Sequence, residues 1–236
     1  MRGRVTCHSL SDEDAARRPA RDIESSGPVH ATPATIQQAV RLAVGQGDRS
    51  LSARRRVFLR RCWPYLGPTQ RRHVADHCWA VRTIALRLGA RVGLSGTAVD
   101  HLGRAALFHD IGKCRIPEWI LDKSSALTAD ERAVIGRHAA IGASIATALG
   151  APGPVVRMIA CHHRRADGPA DPLAPAATTV LTVADALAGM MSDRPYHPAR
   201  TARQALAELR REAGTVFDAT VVDAADAVCR GSRRVA

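Results

Sequence analysis

Long apolar segments are missing from this 236-residue sequence, which contains no run of about 18 uncharged apolar residues. Residues 1–10 include two arginines but lack the apolar core of a signal peptide. The six cysteines form no Cys-x-x-Cys pair, which argues against a zinc ribbon and favours reduced, packed thiols. We therefore expect a cytoplasmic protein that does not enter a membrane.

Aromatic residues and lysines are also scarce. The sequence has three Trp, two Tyr and three Phe, and Lys113 and Lys123 are the only lysines among its 34 basic residues. The net charge of +12 is compatible with an anionic partner such as a nucleotide or nucleic acid, or with arginines on solvated helix faces. Because no basic stretch alternates with aromatic side chains, we favour solvated faces and do not expect nucleic acid binding.

The composition changes along the chain in a way that predicts three regions. Residues 1–34 contain almost no large apolar side chains, so we predict a flexible N-terminal tail there. Residues 35–69 carry two short helical patterns and the arginine run 54–56, which predicts a basic helical lead-in. One globular domain is predicted at residues 70–230, where most of the apolar residues lie.

Hydrophobic periodicity predicts that this domain is all-α. Apolar residues recur at intervals of three and four from residue 70 onward, with a first stripe over residues 74–88 that ends at Gly89 and a second over residues 99–106 that ends near Gly112. Thr128 and Glu131 form a capping box, which opens a helix predicted to reach Leu149. Further helices are predicted at residues 117–121, 154–163, 177–191, 198–212 and 218–229.

Ionisable residues lie on the apolar faces of five of these helices. They are His77, His109, His138, His162 and Asp185, and Asp110 and His163 are sequence neighbours of two of them. A single histidine on such a face is ordinarily a hydrogen-bonded core residue, but burying a whole cluster without a cation is costly. A shared metal centre would supply positive charge and satisfy the nitrogen and oxygen lone pairs, so the pattern indicates a metal site.

Several short motifs extend over residues 70–228. They read His-Asp-Ile-Gly-Lys at 109–113, Ile-Pro at 116–117, Leu-Thr at 127–128, His-His at 162–163, Asp-Gly at 167–168 and Asp-Arg-Pro-Tyr at 193–196. Together they resemble the HD superfamily of metal-dependent phosphohydrolases and, within it, the HD-GYP subfamily, whose members hydrolyse cyclic di-GMP. The resemblance implies an HD-domain helical bundle with additional C-terminal helices.

The resemblance also implies a centre of two divalent transition-metal ions bridged by Asp110. The implied ligands of one ion are His77, His109, Asp110 and Asp185, and those of the other are Asp110, His138, His162 and His163. Imidazole and carboxylate ligands suit Fe or Mn, which we favour, and also Zn or Ni. His73, four residues before His77, is either an additional metal ligand or an exposed surface residue.

Three residues are implied to bind substrate. Lys113 is well placed to meet a non-bridging phosphate oxygen, although a lysine at a helix end is often merely solvated. Arg194 matches the phosphate-contacting residue of the subfamily, with an ion pair to Asp193 as the alternative, and His197 follows at a position that is usually basic.

The loop after the paired histidines departs from the subfamily signature His-His-Glu-x-x-Asp-Gly-x-Gly-Tyr-Pro. Arg164 replaces the glutamate, and Ala170 and Asp171 replace the Gly-Tyr pair. These changes remove a flexible glycine and an aromatic stacking surface, and they add a charge that repels phosphate. They leave the identity of the substrate open.

We expect a phosphodiesterase that hydrolyses a cyclic dinucleotide, with cyclic di-GMP favoured and with Asp110 and Lys113 as catalytic residues. The altered loop leaves two alternatives, a non-catalytic nucleotide-binding or interaction protein of the same fold and an HD phosphohydrolase for another nucleotide. A protein partner or a homodimer is compatible with each of them.

Overall fold

The computed structural model describes residues 68–169, 176–192 and 198–231. The predicted all-α fold is confirmed, because these ranges form nine α-helices and one 3-10 helix at Ile111–Arg115. The α-helices are α1 Pro68–Arg91, α2 Thr97–Phe108, α3 Glu118–Leu121, α4 Ala129–Gly136, α5 His138–Ala148, α6 Gly153–Cys161, α7 Ala177–Met191, α8 Ala202–Arg211 and α9 Ala219–Gly231. The predicted tail at 1–34 and nearly all of the lead-in at 35–69 lie outside the described residues.

The core forms where α1 packs against α2 and α7, with α6 against α2 and α5 against α6. The apolar stripe of α1 is buried, as are Leu102 of α2 and Leu181 of α7. The stripe consists of Val74, Cys78, Val81, Ala85 and Leu88. Burying a leucine side chain stabilises a fold by about 1.5–3 kcal/mol, so this centre anchors the helices that carry the ionisable residues.

The connection from α1 to α2 differs from the prediction, since α1 continues past Gly89 to Arg91. A Cβ atom at Gly89 would lie 3.0 Å from Cδ2 of Leu102, so the glycine lets α1 and α2 approach closely. The chain leaves the helix through Gly93, whose φ of 81° is the left-handed conformation typical of a helix end. At its other end, α2 stops at Phe108 rather than near Gly112, and the 3-10 helix follows.

The single helix predicted from Thr128 to Leu149 is two helices. The capping box is confirmed, because the Glu131 backbone N–H donates to Thr128 Oγ1 at 3.2 Å and the Thr128 N–H donates to Glu131 Oε2 at 2.7 Å. The helix is interrupted between α4 and α5, after Gly136, a weak helix former. Directly after the interruption, the His138 ring donates a hydrogen bond to the Ile135 carbonyl oxygen, which in a continuous helix would accept one from a backbone N–H.

The remaining helix boundaries agree with the predictions to within a few residues. The prediction for α7 is confirmed at both ends, and α3 begins one residue after Pro117. Helix α8 begins later than predicted because Thr201 and Gln204 form a second capping box, which fixes its start at Ala202.

The cysteines correct one expectation. Cys78, Cys114 and Cys229 form no disulfide, whereas Cys161 is disulfide-bonded, so the expectation of reduced thiols throughout is wrong for this residue. Among the described helices, none combines the length and the apolar character that a membrane span requires.

Candidate metal centre

The structure brings all seven predicted metal ligands together at one place, although they come from five separate parts of the chain. They are His77 in α1, His109 and Asp110 directly after α2, His138 at the start of α5, His162 and His163 directly after α6, and Asp185 in α7. Two of the groups able to hold a cation consist only of these ligands, one of His77, His109 and Asp185 and one of His138, His162 and His163. Five of the seven residues therefore lie at helix ends, whereas His77 and Asp185 lie within helices.

A glycine contact joins two of these parts. A Cβ atom at Gly112 would lie 1.9 Å from the His138 carbonyl oxygen and 2.7 Å from the Gly142 nitrogen, so only glycine fits between the 3-10 helix and α5. This approach places Asp110 beside α5, with its Oδ1 3.3 Å from His138 Nε2.

Three of the histidines are held in one orientation by the backbone. His109, His138 and His162 each place ring Nδ1 against the carbonyl oxygen of the residue three positions earlier, at 2.9, 2.6 and 2.7 Å. A carbonyl oxygen only accepts hydrogen bonds, so Nδ1 carries the proton in each ring. In the neutral imidazole, Nε2 is then left with a lone pair, which is the arrangement that metal-bound histidines use.

These lone pairs converge on one another and fit a cation. Nε2 of His138 lies 3.2 Å from Nε2 of His162 and 3.1 Å from Nε2 of His163. Nε2 of His109 is buried with no hydrogen-bond partner. Lone pairs that face each other at such distances repel, and a buried nitrogen without a partner is costly, so the donor set matches a bound metal better than a packed core.

Asp110 lies between the two groups and turns one oxygen toward each. Its Oδ1 faces His138, while its Oδ2 lies 3.4 Å from His109 Nε2 and 3.9 Å from His77 Nε2. The carboxylate is 2% exposed. Burial alone would raise its pKa, but the charges of Lys113 and His109 hold the pKa well below its ordinary value. Asp110 is thus a buried anion in the position that a bridging ligand requires.

Asp185 completes the first group. Its Oδ1 lies 2.9 Å from His77 Nε2 and 3.6 Å from His109 Nε2. Burial would raise the pKa of this carboxyl group, but the neighbouring His109 and His77 rings keep the pKa well below the ordinary value. Both carboxyl groups are therefore ionised and available to a cation.

The histidines of the second group are neutral. Burial lowers the pKa of His138 to about 4, and it lowers the pKa values of His162 and His163 as well. Burial would also lower the pKa of His109, but the Asp110 carboxylate raises it well above its ordinary value. A proton on His109 supplies positive charge that a metal ion would replace.

The structure describes one of the three predicted substrate-binding residues. Lys113 lies at the centre, where its Nζ donates to Asp110 Oδ2 at 2.7 Å. Arg194 and His197 lie outside the described residues, so their roles stay predictions. The backbone of His73 lies in α1, one turn before His77.

Sequence reasoning assigned two neighbours of the centre to other roles. Cys78 was expected to be a core residue, and it is fully buried, but its thiol also lies with His109 and Asp110 in a group able to hold a cation. Burial raises the pKa of this thiol. The contact of Gly112 with α5 was not foreseen, and only the glycine within the His-Asp-Ile-Gly-Lys motif hinted at it.

Parts of known proteins are similar in sequence to this chain. The family model for the HD domain matches residues 59–221. The cyclic di-GMP phosphodiesterase response regulator RpfG of Xanthomonas campestris is 34% identical over 60% of this chain and 39% of its own length. A cyclic di-GMP phosphodiesterase of Thermotoga maritima is 30% identical over 63% of this chain and 42% of its own length. The chain thus matches about two fifths of each relative.

A solved structure shows the same fold at low sequence identity. Bd1817, an HDG"Y"P protein of Bdellovibrio bacteriovorus, superimposes with a TM-score of 0.56 at 14% identity, covering 84% of this chain and 70% of Bd1817. The family match spans more than half of the sequence and includes all seven clustered ligands. The chain therefore belongs to the HD-domain family.

Proposed function

We propose that this chain is a metal-dependent phosphodiesterase that hydrolyses a cyclic dinucleotide, with cyclic di-GMP as the first candidate. The observation that carries the proposal is the buried Asp110 carboxylate, which lies between two groups of histidine and aspartate side chains and within 2.7 Å of the Lys113 ammonium. The cyclic di-GMP phosphodiesterases among its relatives support the substrate class.

Two divalent transition-metal ions would be held by the seven ligands, with Asp110 shared between them. Fe or Mn suits these nitrogen and oxygen donors, and Zn or Ni is the alternative. When bound, such ions supply Lewis acidity, which activates a water molecule and neutralises the phosphodiester. The proposed number and identity of the ions rest on the ligand set, and metal analysis of the purified protein tests both.

Residues of the chain orient the metal ligands and the substrate for the reaction. The carbonyls that fix His109, His138 and His162 hold the ligands rigid, so little reorganisation is needed when substrate binds. Lys113 can turn from Asp110 toward a non-bridging phosphate oxygen, because its side chain is 25% exposed and therefore reaches the solvent side of the centre. Water adds across the bond between phosphorus and the 3′ oxygen, and a linear dinucleotide with a 5′-phosphate results.

A hydrolysis assay with the purified chain tests the proposal. The protein is loaded anaerobically with Fe(II) or Mn(II) and incubated separately with cyclic di-GMP, 3′3′-cGAMP, a generic phosphodiester and a short RNA. We expect cleavage of a cyclic dinucleotide that Asp110→Ala abolishes. Asp100→Ala is the matched control, because Asp100 pairs with Arg104 on the surface of α2. If Asp110→Ala cleaves every substrate as fast as the unaltered chain, the proposal is wrong.

The substrate panel also separates the two alternatives. Arg164 stands where the subfamily signature has glutamate, and its guanidinium donates to the Pro169 carbonyl within the loop that follows the paired histidines. Tight binding of a cyclic dinucleotide without turnover would favour a binding protein. Cleavage of a different nucleotide alone would favour another HD phosphohydrolase. We place the activity in the cytoplasm, which cell fractionation tests.

A further inference from the structure

A groove of about 280 Å³ lies between α8 and α9, and none of its lining residues belongs to the proposed metal or substrate site. The lining residues are Arg203, Leu206, Arg210, Asp226, Cys229 and Arg230. Three of the six are arginines, an unusual concentration of positive charge for one small concavity.

The arginines converge because of their helical spacing. Arg203, Leu206 and Arg210 are separated by three and four residues, so they share one face of α8. Asp226 and Arg230 are four residues apart and share one face of α9. The two helices pack against each other, so the two faces meet along the groove.

The charges of the groove do not balance. Arg210 Nη2 lies 2.8 Å from Asp226 Oδ1, and Arg230 binds the other oxygen of the same carboxylate. Arg203 lines the groove without an ion pair in the described part of the chain. Three guanidinium groups therefore face one carboxylate, and an excess of two positive charges remains.

We propose that this groove binds a phosphate monoester, a dianion that matches the two excess charges. Guanidinium groups bind phosphate through paired N–H donors, and three arginines can serve the three terminal oxygens of a monoester, whereas a carboxylate offers only two. The volume is close to the lower end of ligand pockets, which begin at about 300 Å³, so the groove suits a small ligand that carries a phosphate group. The inference is independent of the proposed hydrolysis.

The thiol of Cys229 provides a local readout, because it forms no disulfide and lines the same groove. The full-length chain, with its metal bound, is treated with a neutral maleimide at constant ionic strength, and modification of Cys229 is followed by peptide mass spectrometry. Inorganic phosphate and adenosine 5′-monophosphate are added as probes, and adenosine without phosphate is the control. We expect both phosphate probes to slow the modification at least about fivefold, with no effect of adenosine.

Variants of the groove arginines test whether phosphate binding in the groove causes the protection of Cys229. Arg203→Gln combined with Arg210→Gln should abolish the protection, while the rate of cyclic dinucleotide hydrolysis stays unchanged. Arg211→Gln is the matched control, because Arg211 follows Arg210 in α8 but pairs with Glu208 outside the groove. The proposal is overturned if the protection survives the double substitution or if Arg211→Gln removes it equally. It is also overturned if a short oligonucleotide protects Cys229 but the phosphate monoester does not. A loss of hydrolysis alone concerns the metal centre instead.

Discussion

Lys113 donates a hydrogen bond to Asp110, with 2.7 Å between Nζ and Oδ2, at the point where the two groups of metal ligands meet. Burial would lower the pKa of this lysine, but the Asp110 carboxylate raises it, so the ammonium stays charged. The Lys113 ammonium thus lies at the centre where the proposed phosphodiester would bind, and rotation of its side chain would turn it toward the phosphate.

Replacing Lys113 by methionine tests whether this charge serves the substrate. Methionine keeps a similar length and removes the charge, so the developing negative charge on phosphate loses one donor. We expect kcat/KM for the cyclic dinucleotide to fall about 100-fold, the loss typical of removing one such donor. Metal content should stay the same, because Lys113 is not a proposed ligand.

The second lysine of the chain is the matched control. Lys123 pairs with Glu131 at 2.6 Å, away from the metal ligands. Lys123→Met should leave kcat/KM within about a factor of two, as for an ordinary surface substitution. Equal kcat/KM values of the two methionine variants would show that the charge of Lys113 does not serve the substrate.

Gly112 is predicted to be irreplaceable. Because a Cβ atom would overlap the His138 carbonyl oxygen and the Gly142 nitrogen, both of which are backbone atoms, Gly112→Ala must push the 3-10 helix away from α5. We expect the free energy of unfolding to fall by about 2 kcal/mol or more and metal content to decrease, since Asp110 moves from His138.

Gly136 provides the comparison for that substitution. It lies in α4, and a Cβ atom there would have no neighbour within 4 Å. Gly136→Ala should therefore be neutral or stabilise the fold by about 0.5–1 kcal/mol through helix propensity. Chemical denaturation and metal analysis of both variants check the pair, and a Gly112→Ala protein as stable as the unaltered chain contradicts the packing argument.

Metal binding is predicted to stabilise the fold. Without a cation, the Nε2 lone pairs of His138 and His162 face each other at 3.2 Å and repel, and a ligand that binds only the folded state adds about 2.7 kcal/mol at 100 times its Kd. We expect Mn(II) to raise the melting temperature of the chelator-treated chain. Asp185→Asn should weaken binding of one ion at least about tenfold, whereas Asp100→Asn should not. Unchanged melting of the unaltered chain with every transition ion would refute a metal centre.

The periodicity of the sequence predicted the helices and the clustering of ligands because both depend on which face of a helix is apolar. His77 and Asp185 lie within long helices, where that face is fixed by spacing alone. The contact of Gly112 with α5 depends on atoms distant in sequence, so periodicity does not predict it. The helix break before His138 is local, but it accompanies a hydrogen bond between the His138 ring and the Ile135 carbonyl, which periodicity does not register either. The pairing of Lys113 with Asp110 likewise follows from the 3-10 turn, which replaced the expected end of α2.

The start of α4 is predicted to become less stable in acid. Glu131 has a pKa below its ordinary value of 4.5, chiefly because its carboxylate accepts a hydrogen bond from Lys123 and also one from the Thr128 backbone. A carboxyl group with a lowered pKa stabilises the folded chain above its unfolded-state pKa, and that contribution disappears as the pH falls through the folded-state pKa. Glu131→Gln retains the capping acceptor but not the charge. The stability difference between Glu131→Gln and the unaltered chain should therefore be present at about pH 6 and diminish as the pH falls below 4.5, as measured by urea denaturation. A difference that is constant across this range would show that the Lys123 contact contributes nothing.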